Sequence, residues 1–252
     1  MNGRTPVDEL LERLAQRVNH PWARARWGAL GALLLLVAVP MAWLLVGTVL
    51  TALFQAAGAS LDSLGYRYAI VGATQLVLLA AAFGGAAAAG ASPADLGLRA
   101  PVAGPALRGA LLGGFGLLLA LGWDLLLRVA WPEAAARAEE ELARQMAGLA
   151  GPWPLLLAFA VIVAPLGEEL FFRGFLFAGL RRVLSFTPAA LVSAAAFAAV
   201  HLMPWSSPPL IAVGVLAAWS YERERTLAGP IALHAAFNGL SLVYSLVLSP
   251  DG

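Results

Sequence analysis

The chain contains no cysteine, so disulfide bonds and thiolate chemistry are both excluded and nothing in it reports a redox compartment. It also contains no lysine; all 16 basic residues are arginine, a bias from which no function follows. Charge is scarce. Only 12% of the 252 residues are charged and 60% are hydrophobic, whereas soluble domains are about a quarter charged. A soluble fold of this length has too little interior to enclose that much apolar surface, so composition alone points to the membrane class. No long polar stretch exists to build a separate soluble domain. The formal net charge of +1 excludes the basic excess that a nucleic-acid partner would require. GxSxG and HExxH are both absent, which removes the nucleophile-elbow hydrolases and the soluble zinc proteases as templates. The leader is polar through Arg26, too long and too mixed in charge for a cleaved signal peptide, so the first apolar stretch is expected to remain as a span.

What is present is a series of apolar runs. A membrane-crossing helix needs ~20 mostly apolar residues. The runs at 27–54, 68–90, 107–131, 152–180, 186–203, 207–221 and 227–248 predict an all-α, polytopic transmembrane helical bundle of about seven spans, with six or eight as the neighbouring counts. Before them, Leu10, Leu11, Leu14 and Val18 share one helical stripe, which predicts an amphipathic surface helix over 6–19. A charged, alanine-rich segment at 133–148 reads as a second amphipathic helix on the opposite face. Arginines set the orientation. With the amino terminus in the cytoplasm, Arg4, Arg13, Arg17, Arg24, Arg26, Arg99, Arg108, Arg181, Arg182, Arg223 and Arg225 all fall inside, and only Arg67, Arg137 and Arg144 fall outside.

Ionisable side chains inside spans are costly and mark function by default. Glu168 and Glu169 are adjacent in the fourth span, and Arg173 lies one turn beyond Glu169. An ion pair between Glu169 and Arg173 leaves Glu168 over, about 100° around the helix. Two of the three histidines also fall in apolar spans, while His20 sits in the polar leader. His201 ends the run FAAVH that begins at Phe197, and His234 lies one turn before Asn238. Each taken alone would read as helix–helix hydrogen bonding. Together they offer a carboxylate, two imidazoles and a carboxamide from three helices. Such a set suits hydrolysis of an amide. The carboxylate serves as base toward water, an imidazole shares that water or binds a metal, and a carboxamide or second imidazole stabilises the oxyanion. If zinc were present, its ligands would be Glu168, His201 and His234, with one position open. Asp124 and Arg128, four apart in the third span, are expected to neutralise each other near the membrane edge. Pro165 is expected to kink the fourth helix and to free a backbone carbonyl. His201 lies nearer the outer end of its span than Glu168 does, so a shared site requires a tilt or a break near Pro204.

The three motifs EExxxR (Glu168 to Arg173), FxxxH (Phe197 to His201) and HxxxN (His234 to Asn238) occur in that order on separate spans. In this the chain resembles the CAAX-prenyl-endopeptidase-like and bacteriocin-processing membrane peptidases, the CPBP or Abi family. The resemblance covers roughly residues 150–245; the first three spans resemble nothing identifiable. It implies that Glu168 is the base that activates water with His201 beside it. His234 and Asn238 would be the oxyanion-stabilising pair, and Glu169, Arg173 and Phe197 the supporting residues. Both metal-dependent and glutamate-type mechanisms have been described for the family. Asn238 is a poor zinc ligand, so no cofactor is the expectation here and Zn2+ the alternative.

The resulting expectation is an intramembrane endopeptidase, a hydrolase of the prokaryotic plasma membrane. Its substrate would be a membrane-tethered peptide or protein, of the CAAX prenyl type or another short membrane chain, and its other partner the lipid bilayer. Residues 1–26 would form the surface segment, 27–149 the first spans with the outer amphipathic helix, and 150–252 the catalytic core. Two other classes compete. A non-catalytic immunity-type or partner-binding protein would keep the fold without the chemistry. A proton-coupled carrier would use the carboxylates as a relay, but it should show paired halves with matching broken helices, and none are visible.

Overall fold

A computed structural model describes residues 25–99, 103–149 and 151–247. The surface helix expected over 6–19, and His20, lie outside the described residues. Those residues form helices and no strands: α1 (Gly28–Ala56), α2 (Leu64–Ala88), α3 (Ala103–Ala130), α4 (Pro132–Leu149), α5 (Trp153–Leu180), α6 (Phe186–Val200), α7 (Ser207–Glu224) and α8 (Ala228–Val247). A short 3-10 turn, Pro93–Leu96, follows α2. Each of the seven apolar runs is a helix, and α4 is the expected charged segment. By length and composition α1, α2, α3 and α5 can each cross a membrane; α6 is apolar but only 15 residues long. Leucines such as Leu30, Leu34, Leu45, Leu111 and Leu118 point outward, where hydrocarbon rather than water is the solvent that suits them. The chain is a multi-pass helical membrane protein.

Local chemistry sets the boundaries. The Ser63 hydroxyl accepts the Tyr66 N–H and starts α2. Ser92 and Asp95 form a reciprocal cap over the short turn after α2. Pro208 and Pro209 open α7, where missing N–H groups cost nothing. Arg225 ends it in the left-handed region at φ 57°.

Two features place the site. First, α5 runs through the middle of the bundle, and every residue of Leu170–Phe177 is buried. Phe171, Phe172, Phe175 and Phe177 form the core with Phe197 and Tyr221, and Trp27 stacks on Phe175 at 4.8 Å. Second, small residues let helices approach closely. A Cβ on Gly109 would meet the Gly229 backbone, and one on Gly113 would meet the Leu233 carbonyl, so α3 lies directly against α8. That contact fixes the height of His234, the next residue.

Helix α5 is not a uniform α-helix. Ala158–Val163 and Leu170–Phe177 adopt the wider π register, and the α-helical turn Ala164–Glu169 lies between them. The expected kink at Pro165 takes this form: the helix continues through the proline, and the register before it widens. Ala164 donates its N–H to Phe159, five residues back. In that register the Ala160 carbonyl would look to residue 165, a proline with no N–H to give. The Asn238 amide supplies the donor instead, at 2.8 Å. Carbonyls of the second π segment are also held from outside, Phe172 by the Ser193 hydroxyl at 2.9 Å and Phe175 by the Trp27 indole at 2.9 Å.

Candidate active site

The turn Ala164–Glu169 presents its two carboxylates to different neighbours. Glu169, wholly buried, accepts Nη1 of Arg173 at 2.8 Å and Nδ1 of His234 at 2.9 Å, both on Oε1. Arg173 is itself fully buried, and its guanidinium lies 4.6 Å from the centroid of the Phe197 ring. A desolvated cation over an aromatic face gains some of what the lost water would have supplied. The other edges of that ring meet His201 at 4.7 Å and His234 at 5.4 Å, both tilted edge-to-face. Phe197 therefore wedges the arginine and both imidazoles apart at fixed spacings.

Glu168 faces the other way. Its Oε1 accepts Nε2 of Gln75, on α2, at 3.3 Å. Its Oε2 is buried without a hydrogen-bond partner, 3.9 Å from Nε2 of His201 and 3.8 Å from Nε2 of His234. The depth mismatch between His201 and Glu168 is resolved because α6 stops at Val200, and His201 caps it. There its Nδ1 meets the Phe197 carbonyl at 2.7 Å. A carbonyl can only accept, so that nitrogen carries the proton. The same logic applies to His234, whose Nδ1 faces a carboxylate already paired with arginine. In their neutral forms, both imidazoles therefore turn an unprotonated Nε2 toward Glu168 Oε2. Three acceptors converge with no donor among them. This is an arrangement that can hold and polarise a water.

Three donor atoms of the types zinc accepts are present. Tetrahedral bonds of the usual length would put them ~3.3 Å apart, shorter than the 3.8 and 3.9 Å found between Glu168 and the imidazoles. Among the described residues no group of three such side chains is arranged to hold a metal ion. As spaced, the residues do not fit the metal, and no step is routed through one.

The structure brings together Glu168, Glu169, Arg173, Phe197, His201 and His234. It places Asn238 one turn along α8, with one amide N–H committed to Ala160. Asp124 and Arg128 pair at 2.8 Å, and Arg128 pairs as well with Glu139 of α4. Two residues went unnoticed in the sequence. Gln75 is a lone amide in an apolar span, and that polarity was its signal. Glu141 reaches from α4 to accept the N–H groups of Trp205 and Ser206 and the Ser206 hydroxyl, all at 3.2 Å. It thereby fixes the turn that links His201 to α7. Nothing in the sequence marked Glu141 among its charged neighbours.

Residues 150–240 match the family model described as type II CAAX prenyl endopeptidase Rce1-like. A stretch of 104 residues is 32% identical to the membrane-embedded CAAX protease MroQ of Staphylococcus aureus (strain USA300), covering 39% of this chain and 42% of that protein. The match thus spans less than half of that relative. No solved structure matches. The matched region includes both helices that bear the acidic and HxxxN motifs and the histidine between them, and over residues 150–240 this chain is similar to the Rce1-like CAAX prenyl endopeptidases.

Proposed function

We propose that this chain is an intramembrane endopeptidase in which Glu168 activates water without a metal. The observation that carries the reading is the partnerless Oε2 of Glu168, faced at 3.9 and 3.8 Å by two imidazole nitrogens whose other nitrogens are already bonded. A water held between Glu168 Oε2 and His201 Nε2 has both hydrogens directed and its lone pair free. Glu168 takes one proton as the water oxygen forms a bond to the substrate carbonyl carbon, and His201 holds the second O–H. The carbonyl π electrons move to the oxygen, giving a tetrahedral oxyanion. Collapse of that intermediate breaks the C–N bond, and Glu168 returns its proton to the leaving amine. The electrons and protons balance, and the products are one carboxylic acid and one amine.

Stabilisation of the oxyanion falls to His234 and Asn238. The Glu169 contact on Nδ1 fixes the His234 ring so that Nε2 faces the site, and in its protonated form that nitrogen donates to the oxyanion. Asn238 gives one N–H to Ala160 and has its second to offer. Pre-aimed donors in a water-poor site are worth far more than in bulk solvent.

The substrate in this reading is a membrane-tethered peptide or protein, of the CAAX prenyl type or another short membrane chain. The MroQ likeness and the family match support that class. Arginine placement supports a cytoplasmic amino terminus, with α4 on the far face. The test is cleavage in proteoliposomes of a farnesylated CAAX-type peptide and of an unprenylated apolar peptide, with the new termini read by mass spectrometry. Cleavage of either that is lost in Glu168→Gln supports the reading. Equal cleavage by both proteins contradicts it.

A further inference from the structure

We infer that Gln75, on α2 outside the matched region, is a positioning residue for Glu168. The inference rests on the peptidase reading, because it assigns Gln75 a task in that reaction.

A single amide in an apolar helix ordinarily ties two helices together. Gln75 does more than that. It is buried, and its Nε2 donates at 3.3 Å to Oε1 of Glu168, the oxygen turned away from the histidines. A carboxylate is free to rotate about its last bond. A donor on one oxygen fixes the plane and leaves the other oxygen, Oε2, aimed at His201 and His234. Gln75 therefore decides which oxygen of Glu168 is engaged and which is available to water. Glu169 bonds both Arg173 and His234, and neither Glu169 nor Arg173 holds Glu168 in this way.

The backbone opposite is shaped for the amide. Gly167 immediately precedes Glu168, and a Cβ built there would strike Oε1 of Gln75. That Oε1 is buried and has no hydrogen-bond partner. The carboxamide is thus seated against bare backbone, its N–H end directed by the carboxylate. An apolar side chain would suit this position in a span better unless the donor is needed.

The experiment compares wild type with Gln75→Leu, Gly167→Ala and Glu168→Gln in proteoliposomes. One arm is infrared difference spectroscopy of the Glu168 carboxyl band, identified by its loss in Glu168→Gln. The other is steady-state cleavage of the same farnesylated and unprenylated peptides, normalised to folded protein. Gln75→Leu removes the donor. Gly167→Ala leaves the donor but pushes the flexible end of the side chain aside, so a folding defect in one variant does not decide the matter. The proposal expects the Glu168 band to move in both variants. It expects kcat to fall roughly 10- to 100-fold, the scale of one hydrogen bond to a charged group, with KM and thermal unfolding little changed. An unmoved band overturns the proposal, as does a moved band with unchanged kcat. A wild-type protein that cleaves neither peptide counts against the peptidase reading instead, and the infrared arm still decides whether Gln75 holds Glu168.

Discussion

Glu169 and His234 meet at 2.9 Å through Oε1, the same carboxylate oxygen that takes Arg173 at 2.8 Å. Spacing along one helix pairs the glutamate with the arginine. Only the fold adds the imidazole, and with it the link between the buried ion pair and the reacting group. The pair therefore does two things: it neutralises a buried cation, and it fixes which nitrogen of His234 faces Glu168.

The first prediction follows for Arg173→Ala. Removing one partner of a buried pair strands the other charge, at a cost of about 3–5 kcal/mol. The expected outcome is a loss of folded protein, measured by thermal unfolding in detergent, that outweighs the loss of specific activity in the fraction that folds. A variant that folds normally and is inactive would place Arg173 in direct contact with substrate.

The second concerns the proline and the carboxamide. Asn238→Leu leaves the Ala160 carbonyl without its donor, at about 1–3 kcal/mol. Pro165→Ala restores an N–H to the residue that this carbonyl would face in the π register. The double variant should therefore recover most of the unfolding temperature lost in Asn238→Leu without recovering activity if the second amide N–H serves the oxyanion. Simple addition of two losses would show that the proline and the carboxamide are independent.

A third prediction reaches the site from α4. Glu141 holds the backbone of Trp205 and Ser206, four and five residues past His201. Leu202, between them, sits at φ 55°, a conformation that a branched side chain keeps only when its surroundings enforce it. Glu141→Ala should speed hydrogen exchange across 201–206 and lower kcat several-fold, with α5 exchange unchanged. Protection of 201–206 that is unaltered would detach α4 from the site.

Much of the fold was legible because apolar length is the dominant signal in a membrane chain. The runs at 27–54 and 152–180 correspond to α1 and α5 nearly end to end, and the charged composition of 133–148 marks α4. The three motifs named most of the group that converges around Glu168, since charged and imidazole side chains inside spans stand out against leucine and alanine. What was not legible depends on geometry that carries no compositional mark. The π register of Ala158–Val163 has the same apolar residues as an α-helix, so the Asn238–Ala160 bond could not be foreseen. Gln75 was visible only as one amide among 25 helical residues of α2, and its partner lies on another helix. Glu141 looked like its solvated neighbours Glu139 and Glu140 until the turn at 201–206 was placed against it.

The most direct test of the central claim is the cleavage rate of Glu168→Gln beside wild type, both stripped of metal and reconstituted in liposomes. Glutamine keeps the size and hydrogen-bonding capacity of the side chain but cannot accept a proton. The account predicts that metal-free wild type cleaves at its full rate, while Glu168→Gln folds, binds the peptide and cleaves ~10²-fold more slowly or worse. Loss of wild-type activity on stripping, restored by added zinc, would contradict the metal-free mechanism. Full activity in Glu168→Gln would contradict the account as a whole.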